Sequence, residues 1–365
     1  HKDGGLSDMS VASQFFGGGS GTIPVEVFIV GGGGGGGAGY VSEQSGGGGS
    51  GQVVYGVYDF NYKKSVNVSI GSSGLGSVYT DGPEPSVGNA GGDTRFGAIV
   101  AYGGGGGSGY LAHNQWHPSF TERQNYGSSG GTAGVPAGSH ASVCCNFPLG
   151  SEFVVRASDQ GPGNTPANVD ETGVWNSQPG STEGSAMVGG LIIGRKITPN
   201  GFIATGAGNH GNGSIAGGGG GAGGHPGASY LDRANNRVDY LGSLSGSPQW
   251  YGRGGRGLPG SVIGYPALEF AGGGGGGANN NAQPGNAGGG DGRTTGDGNH
   301  ATANTGSGGG GTRGNGSSTV FRGGNGGSGV CIIRYPTAYN AATASGNVAT
   351  PAQPGYHVYR WNGPG

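Results

Sequence analysis

Apolar and polar positions along this chain alternate only in short stretches. In Ser65-Val66-Asn67-Val68-Ser69-Ile70 every second residue is apolar, the period of a strand with one buried face. The other candidate strands are Val25–Val30, Gln52–Phe60, Arg95–Tyr102, Ser142–Phe147, Glu152–Ala157, Leu191–Lys196, Phe202–Thr205, Ala267–Ala271, Val330–Tyr335 and Tyr356–Trp361. Each is a short run rich in β-branched or aromatic residues, and strands of this number and length suit a sandwich. Val and Ile far outnumber Leu, and there are only 2 Met. That balance favours stiff strands and predicts almost no α-helix.

Several apolar runs pass directly into glycine. Val25–Val30 enters Gly31–Gly37, and Gly97–Tyr102 enters Gly103–Gly107. Ile215-Ala216 enters Gly217–Gly221, and Ala267–Ala271 enters Gly272–Gly277, with later runs at Gly288–Gly290 and Gly308–Gly311. Glycine tracts that join domains behave as flexible coil. Tracts recurring between single strands would instead make a fold of long structureless loops, against the ordinary length of connections. The expected conformation is polyproline II, three residues per turn, packed side by side where only hydrogen stands at Cα. Ordering this glycine costs roughly 1–2 kcal/mol per residue. Bonds from each N–H to a neighbouring tract's carbonyl offset that cost.

Composition sharpens the picture. The chain holds 98 Gly and 19 Pro in 365 residues, which excludes an ordinary enzyme core. A net charge of −2, with 10% charged residues, supplies no field for nucleic acid or an anionic membrane. No apolar window is long enough for a membrane span. The chain begins at His1 without a charged-then-apolar segment, so it is expected to start mid-polypeptide or after processing.

Residues from about 112 to 206 are less glycine-rich and form a large insertion between glycine tracts. Residues 1–20 and 337–354 read as connecting arms, with the strand Tyr356–Trp361 closing a C-terminal arm of 337–365. The glycine-rich domain proper runs over residues 21–336.

The 3 cysteines are too few for a disulfide scaffold, and Cys144, Cys145 and Cys331 read as small apolar strand residues. His113 and His117 are four apart, but Pro118 follows at once and the metalloprotease glutamate is missing, so they read as loop histidines. Asp170-Glu171 has no second acid in an apolar neighbourhood to complete a glycosidase pair. Asp291 and Asp297 depart from the spacing of calcium-binding glycine repeats. No catalytic residue, metal site or cofactor is therefore expected. The aromatic positions carry the functional signal: Trp116, His117, Phe120, Trp175, Trp250 and Tyr251 sit among polar or turn residues. Such side chains give large contact area at low entropic cost, which suits receptor binding.

The phrase Val25–Val30 plus poly-Gly, the phrase Leu268–Ala271 plus poly-Gly and the closing run Gly323–Pro336 resemble a glycine-rich domain of bacteriophage tail-fibre and virion structural proteins. The segment Gly355–Trp361 is similar to the strand that follows in those proteins. The glycine-rich region of the anaplastic lymphoma kinase ectodomain is similar in plan, without its cysteines here. The resemblance implies an all-β, jelly-roll-like sandwich with an inserted polyglycine helix bundle. It also implies a non-enzymatic, extracellular virion component whose loops attach to host polysaccharide or protein. A homo-oligomer is expected, a trimer by preference, together with other virion chains. The alternative is a self-assembling extracellular filament subunit in which Tyr356–Trp361 completes a neighbour's sheet.

Overall fold

The computed structural model describes residues 11–14, 21–39, 43–61, 64–78, 87–109, 128, 130–131, 153–156, 191–195, 202–206, 215–223, 230–232, 237–239, 252–314 and 321–363. Along the chain the first strands are β1 (Val11–Gln14), β2 (Thr22–Val30), β3 (Val53–Asn61), β4 (Ser65–Ser69), β5 (Thr94–Phe96) and β6 (Ile99–Ala101). Then follow β7 (Phe153–Arg156), β8 (Leu191–Arg195), β9 (Phe202–Gly206), β10 (Tyr230–Asp232) and β11 (Arg237–Asp239). The last are β12 (Leu258–Pro259), β13 (Glu269–Phe270), β14 (Val330–Pro336), β15 (Val348–Ala349) and β16 (Tyr356–Asn362). The described residues are essentially all-β, with antiparallel pairing throughout. One 3-10 turn, Gly260–Ile263, interrupts this pattern.

An eight-stranded sheet runs in the order β15-β16-β14-β2-β3-β9-β8-β7, and a four-stranded one in the order β1-β4-β5-β6. The central strand β2 is apolar on both sides because both faces are covered. Val25, Val27 and Ile29 join Cys331, Ile333, Tyr359 and Trp361 against Val66, Val68 and Phe96 of the smaller sheet. Phe28 and Val30 point the other way and join Ile332 and Val358 against Leu258, Ile263 and Phe270. Phe28 and Phe270 meet ring to ring at 5.2 Å.

Beyond the sheets the glycine tracts form an ordered array. Gly31, Gly34 and Gly37 donate their N–H groups to Gln52, Gly49 and Gly46. Gly32 and Gly35 donate to Gly92 and Asn89, while Gly33 and Gly36 donate to Gly327 and Gly324. The partner tract thus changes at each residue and returns at every third, running antiparallel each time. Three further tracts donate into this one, through Gly104 and Gly107, through Gly74 and Ser77, and through Gly309. Tract 45–52 shows the same rotation, donating to Thr312, Ser108 and Gly217, then to Gly309, Gly105 and Gly220, with the first two partners antiparallel and the third parallel. Every glycine of 31–39 and 46–51 is buried, and the atoms an added Cβ would meet there are almost all backbone.

The structure revises several expected elements. Arg95–Tyr102 is a tight hairpin, β5 and β6, because Gly97 takes a left-handed φ of 59° that a strand cannot hold. The run Ala267–Ala271 contributes only Glu269–Phe270, since Ala271 also has positive φ. Val11–Gln14, in a segment read as an arm, pairs with β4. Residues 337–354 fold back onto the sheet: the Tyr359 hydroxyl donates to the Ala342 carbonyl, and Trp361 Nε1 donates to that of Ser345. β16 was expected to present an open edge. It pairs with β14 along its whole length and, at Arg360 and Trp361, with β15 on the other side. Ser142–Phe147 lies outside the described residues.

Candidate functional site

Trp116, His117, Phe120, Trp175, Trp250 and Tyr251 all lie outside the described residues, as do His113, Asp170, Glu171, Cys144 and Cys145. The described residues show where the neighbouring parts of the chain stand. Gly31 is next to the sheet and Gly37 is bonded to Gly46, so the tract leads outward from Val30 to a far end. At that end Gln44 pairs with Arg313 and Ile215 pairs with Ala278. Gln44 Nε2 donates to Asn279 Oδ1. Ser108, whose carbonyl accepts from Gly46, stands at this far end, whereas Ser128, beyond the sequence segment of Trp116, His117 and Phe120, donates to Ser50 three residues before β3. Gly252 accepts from Gly276 at the far end, and Trp250 and Tyr251 immediately precede it. Trp175 falls in sequence between β7 and β8, the last two strands in the order of the larger sheet.

The acidic side chains in the array serve the backbone. Asp291 Oδ1 accepts from Gly285 N–H, and its other oxygen accepts from Asn299. Asp297 Oδ1 accepts from Arg322 N–H at 2.8 Å, and Asp93 Oδ1 from Gly103 N–H. Asn325 Oδ1 and His300 Nδ1 do the same for Gly76 and Asn325. Each of these atoms stands where a further tract would have offered a carbonyl, and so satisfies a donor at the margin of the array. Asp291 and Asp297, the residues with a calcium-like context, are therefore spent on separate amides. Among the described residues no three His, Cys, Asp or Glu side chains gather as a metal site.

One polar cluster was missed by sequence reasoning. Glu26 and Arg334 face each other across β2 and β14. They form an ion pair at 2.9 Å, each side chain less than a fifth exposed. The Tyr55 hydroxyl also donates to Glu26 at 2.8 Å, Arg334 lies over the Tyr356 ring, and its Nη1 donates to Gln353 Oε1. Gln353 in turn donates to the carbonyls of Ile263 and Gly264. The signal was available: one acid and one base of opposite sign interrupt two otherwise apolar strands. The cluster ties the C-terminal strand pair to the 3-10 turn, and its charges are engaged with one another.

Cys331 is buried and unbridged in β14, as a small apolar strand residue would be, and burial pushes its thiol well above the ordinary range. No helix among the described residues is long and apolar enough to cross a membrane. Residues 10–336 match the family model of a glycine-rich domain. Comparison with curated proteins returns no match.

Proposed function

The chain belongs to the glycine-rich domain family, and from that premise we propose that it is a non-enzymatic virion structural protein of a bacteriophage, a tail-fibre or appendage component. Its packed antiparallel sheets are read as a jelly-roll-like sandwich and its tracts as polyproline II helices of a polyglycine bundle. The observation that carries this reading is the rotation of hydrogen-bond partners with period three along Gly31–Gly37. A bundle cross-linked by backbone in every direction is stiff and presents its ends rather than its flanks. That suits an appendage that holds loops away from a particle.

Attachment is assigned to the aromatic segments. A glycine surface offers uniform dipoles and little shape, so discrimination between receptors falls to side chains that differ from place to place. The segment of Trp250 and Tyr251 meets the array at Gly252, at the end away from the sheets. The partner is a host-surface polysaccharide or protein, and the working form is an oligomer, a trimer by preference.

The test truncates Trp116, Phe120, Trp175, Trp250 and Tyr251 singly to Ala and measures adsorption to host cells, with circular dichroism as the folding control. One or two variants should weaken attachment by about 2 kcal/mol, on the order of 30-fold in affinity. Five folded variants that all adsorb like the parent would refute the attachment role.

A further inference from the structure

Three buried aromatic side chains of β14 and β16 spend their polar atoms on one neighbouring segment. The rings of Tyr335, Tyr359 and Trp361 follow one another at 6.1 and 6.0 Å, only 12° and 22° from parallel. Over them lies the segment 337–349, which follows β14 and ends in β15. Ala342 N–H donates to the Tyr335 hydroxyl at 2.7 Å, and the Tyr359 hydroxyl donates to the Ala342 carbonyl at 2.9 Å. Trp361 Nε1 donates to the Ser345 carbonyl at 3.2 Å, His357 Nε2 meets the Tyr339 carbonyl at 3.0 Å, and Asn362 N–H donates to the Asn347 carbonyl. All five contacts use the main chain of the segment. Its side chains add Ala342, Ala344 and Val348, packed against the core between the sheets. A surface of this kind holds an extended peptide as strand addition does, with backbone bonds for affinity and alternate small positions for selection.

The segment lies at the surface and its base is closed. Thr337–Ala341, Thr343 and Ser345–Asn347 are exposed. At the base Pro336 pairs with Tyr356, and Thr337 N–H donates to the Gly355 carbonyl. Gln353 is tied to the carbonyls of Ile263 and Gly264. The segment can therefore swing about Thr337 and Thr350–Ala352. Its release gives up the two β15–β16 pairs but none between β14 and β16.

We infer that Tyr335, Tyr359 and Trp361 form a seat for an extended segment with small residues at alternate positions, and that the segment 337–349 of a second copy of this chain takes it by reciprocal exchange. The occupant follows from what already fills the seat. Ala342-Thr343-Ala344 supplies the two methyls and the main chain that these three aromatics engage, and a second copy carries the same sequence. Exchange re-forms each contact described above, so it forfeits only the advantage of a loop closing on its own sheet, which protein concentration opposes. Half of the segment, extended, reaches about 20 Å from its base, enough to lie on a copy placed base to base. Neither the glycine array nor the attachment role enters this inference.

Three measurements on the full chain test this. Hydrogen exchange of the unaltered protein should show the Ala342 amide exchanging at least tenfold faster than those of Ile332 and Ile333 in β14. Equal rates would mean that the segment leaves its seat only when the sheet opens, and the exchange would be abandoned. Ala342→Asp/Ala344→Asp unseats the chain's own segment and leaves the seat intact. A fluorescein-labelled peptide of residues 337–349 should bind this variant at least tenfold tighter than it binds the parent, whose seat is filled. Equal binding to both, or none to the folded variant, would show that the aromatic row is no seat. Finally, a tagged copy of the Asp variant is mixed with an untagged Tyr335→Phe/Tyr359→Phe chain, which brings a sound segment to a sound seat. The tagged chain should retain it at least tenfold more than it retains an untagged Asp variant, whatever other surfaces associate. Equal retention would show that copies do not exchange this segment. If the double variant fails to fold, Ala344→Asp alone takes its place, with the same refuting outcomes.

Discussion

A single methyl group at Gly34 should destabilise this protein about as much as a modest core truncation does. The nearest atoms to an added Cβ are the Gly105 carbonyl oxygen and carbon and the Gly106 nitrogen, all backbone and all closer than 3.0 Å. No rotamer change relieves that overlap, so the tract 102–108 must move away. Its movement strains the bonds from Gly104 N–H to Gly32 and from Gly107 N–H to Gly35, at 2.8 and 2.9 Å. It also strains the bond from Gly49 N–H to Gly105, and moving Gly34 instead weakens its own bond to Gly49, both at 2.8 Å. At about 1 kcal/mol for each net hydrogen bond, the three bonds of the moving tract sum to ~3 kcal/mol. Alanine returns roughly 0.4–1 kcal/mol by reducing the freedom of the unfolded chain, leaving ~2 kcal/mol of destabilisation. For a domain this large the melting temperature should fall by about 3 °C. Gly21→Ala is the control, because nothing lies within 4 Å of its added Cβ and its φ is ordinary. Differential scanning calorimetry on both variants decides the matter. A Gly34→Ala protein that melts within about 1 °C of the parent would mean that the tracts are not packed backbone to backbone, and the polyglycine bundle would be abandoned.

Two further predictions concern the sheets. Trp361 is fully buried, stacks on Tyr359 at 6.0 Å, meets Phe96 at 6.5 Å and donates to Ser345. Trp361→Ala should cost about 3–5 kcal/mol in urea unfolding, and a loss under 1 kcal/mol would contradict its place in the core. The Tyr58 hydroxyl is buried with no hydrogen-bond partner among the described residues, so Tyr58→Phe should stabilise the protein by about 1 kcal/mol at neutral pH. Burial raises the Tyr58 pKa from 10.0 to about 12. The unfolded chain therefore gives up this proton before the folded one does. Stability is complete below pH 10.0 and declines as pH rises toward about 12. Phenylalanine should flatten that decline, and an unchanged alkaline slope would show that Tyr58 does not contribute to it.

How far the sequence could be read depended on what each element uses to hold itself. Val25–Val30, Ser65–Ile70, Val330–Tyr335 and Tyr356–Trp361 carry their apolar side chains in strand order, and they became β2, β4, β14 and β16. β12 and β13 have two residues each, too short for any period, and Gly97 gives no local sign of its left-handed turn. Residues 337–354 lack periodicity for a different reason. They are held largely through main-chain groups, the carbonyls of Ala342 and Ser345 and the Ala342 amide, which bond to Tyr335, Tyr359 and Trp361. Such contacts leave their mark on the strand that receives them and none on the segment that makes them. The aromatic candidates lie outside the described residues, so the framework was more legible than the site.

The array raises a question that composition cannot answer, which is what selects one register among many. Because the bonding repeats every three residues, sliding one glycine tract by three would restore every backbone bond. The few side chains inside the array break that equivalence. Ser45 Oγ lies 2.7 Å from the Gly37 carbonyl oxygen and 2.8 Å from that of Thr312, and it accepts from Thr312 N–H at 2.8 Å. Ser307 Oγ donates to Ala287 and accepts from Gly272, and Ser50 pairs with Ser128 at 2.7 Å. Where the array meets the sheets, Thr94 Oγ1 donates to the Val30 carbonyl and accepts from Gly71 N–H. A slip of three residues would leave these hydroxyls facing the wrong tract, buried and unsatisfied, at about 1–3 kcal/mol each. The strands impose the same constraint from the other side, since Val30 and Ala101 lead into their tracts from positions already fixed by pairing. Register is thus set where side chains exist, at a few hydroxyls and at the sheet, and is carried by the glycines in between. The glycine tracts make the array possible, but the sparse residues that interrupt them make it unique.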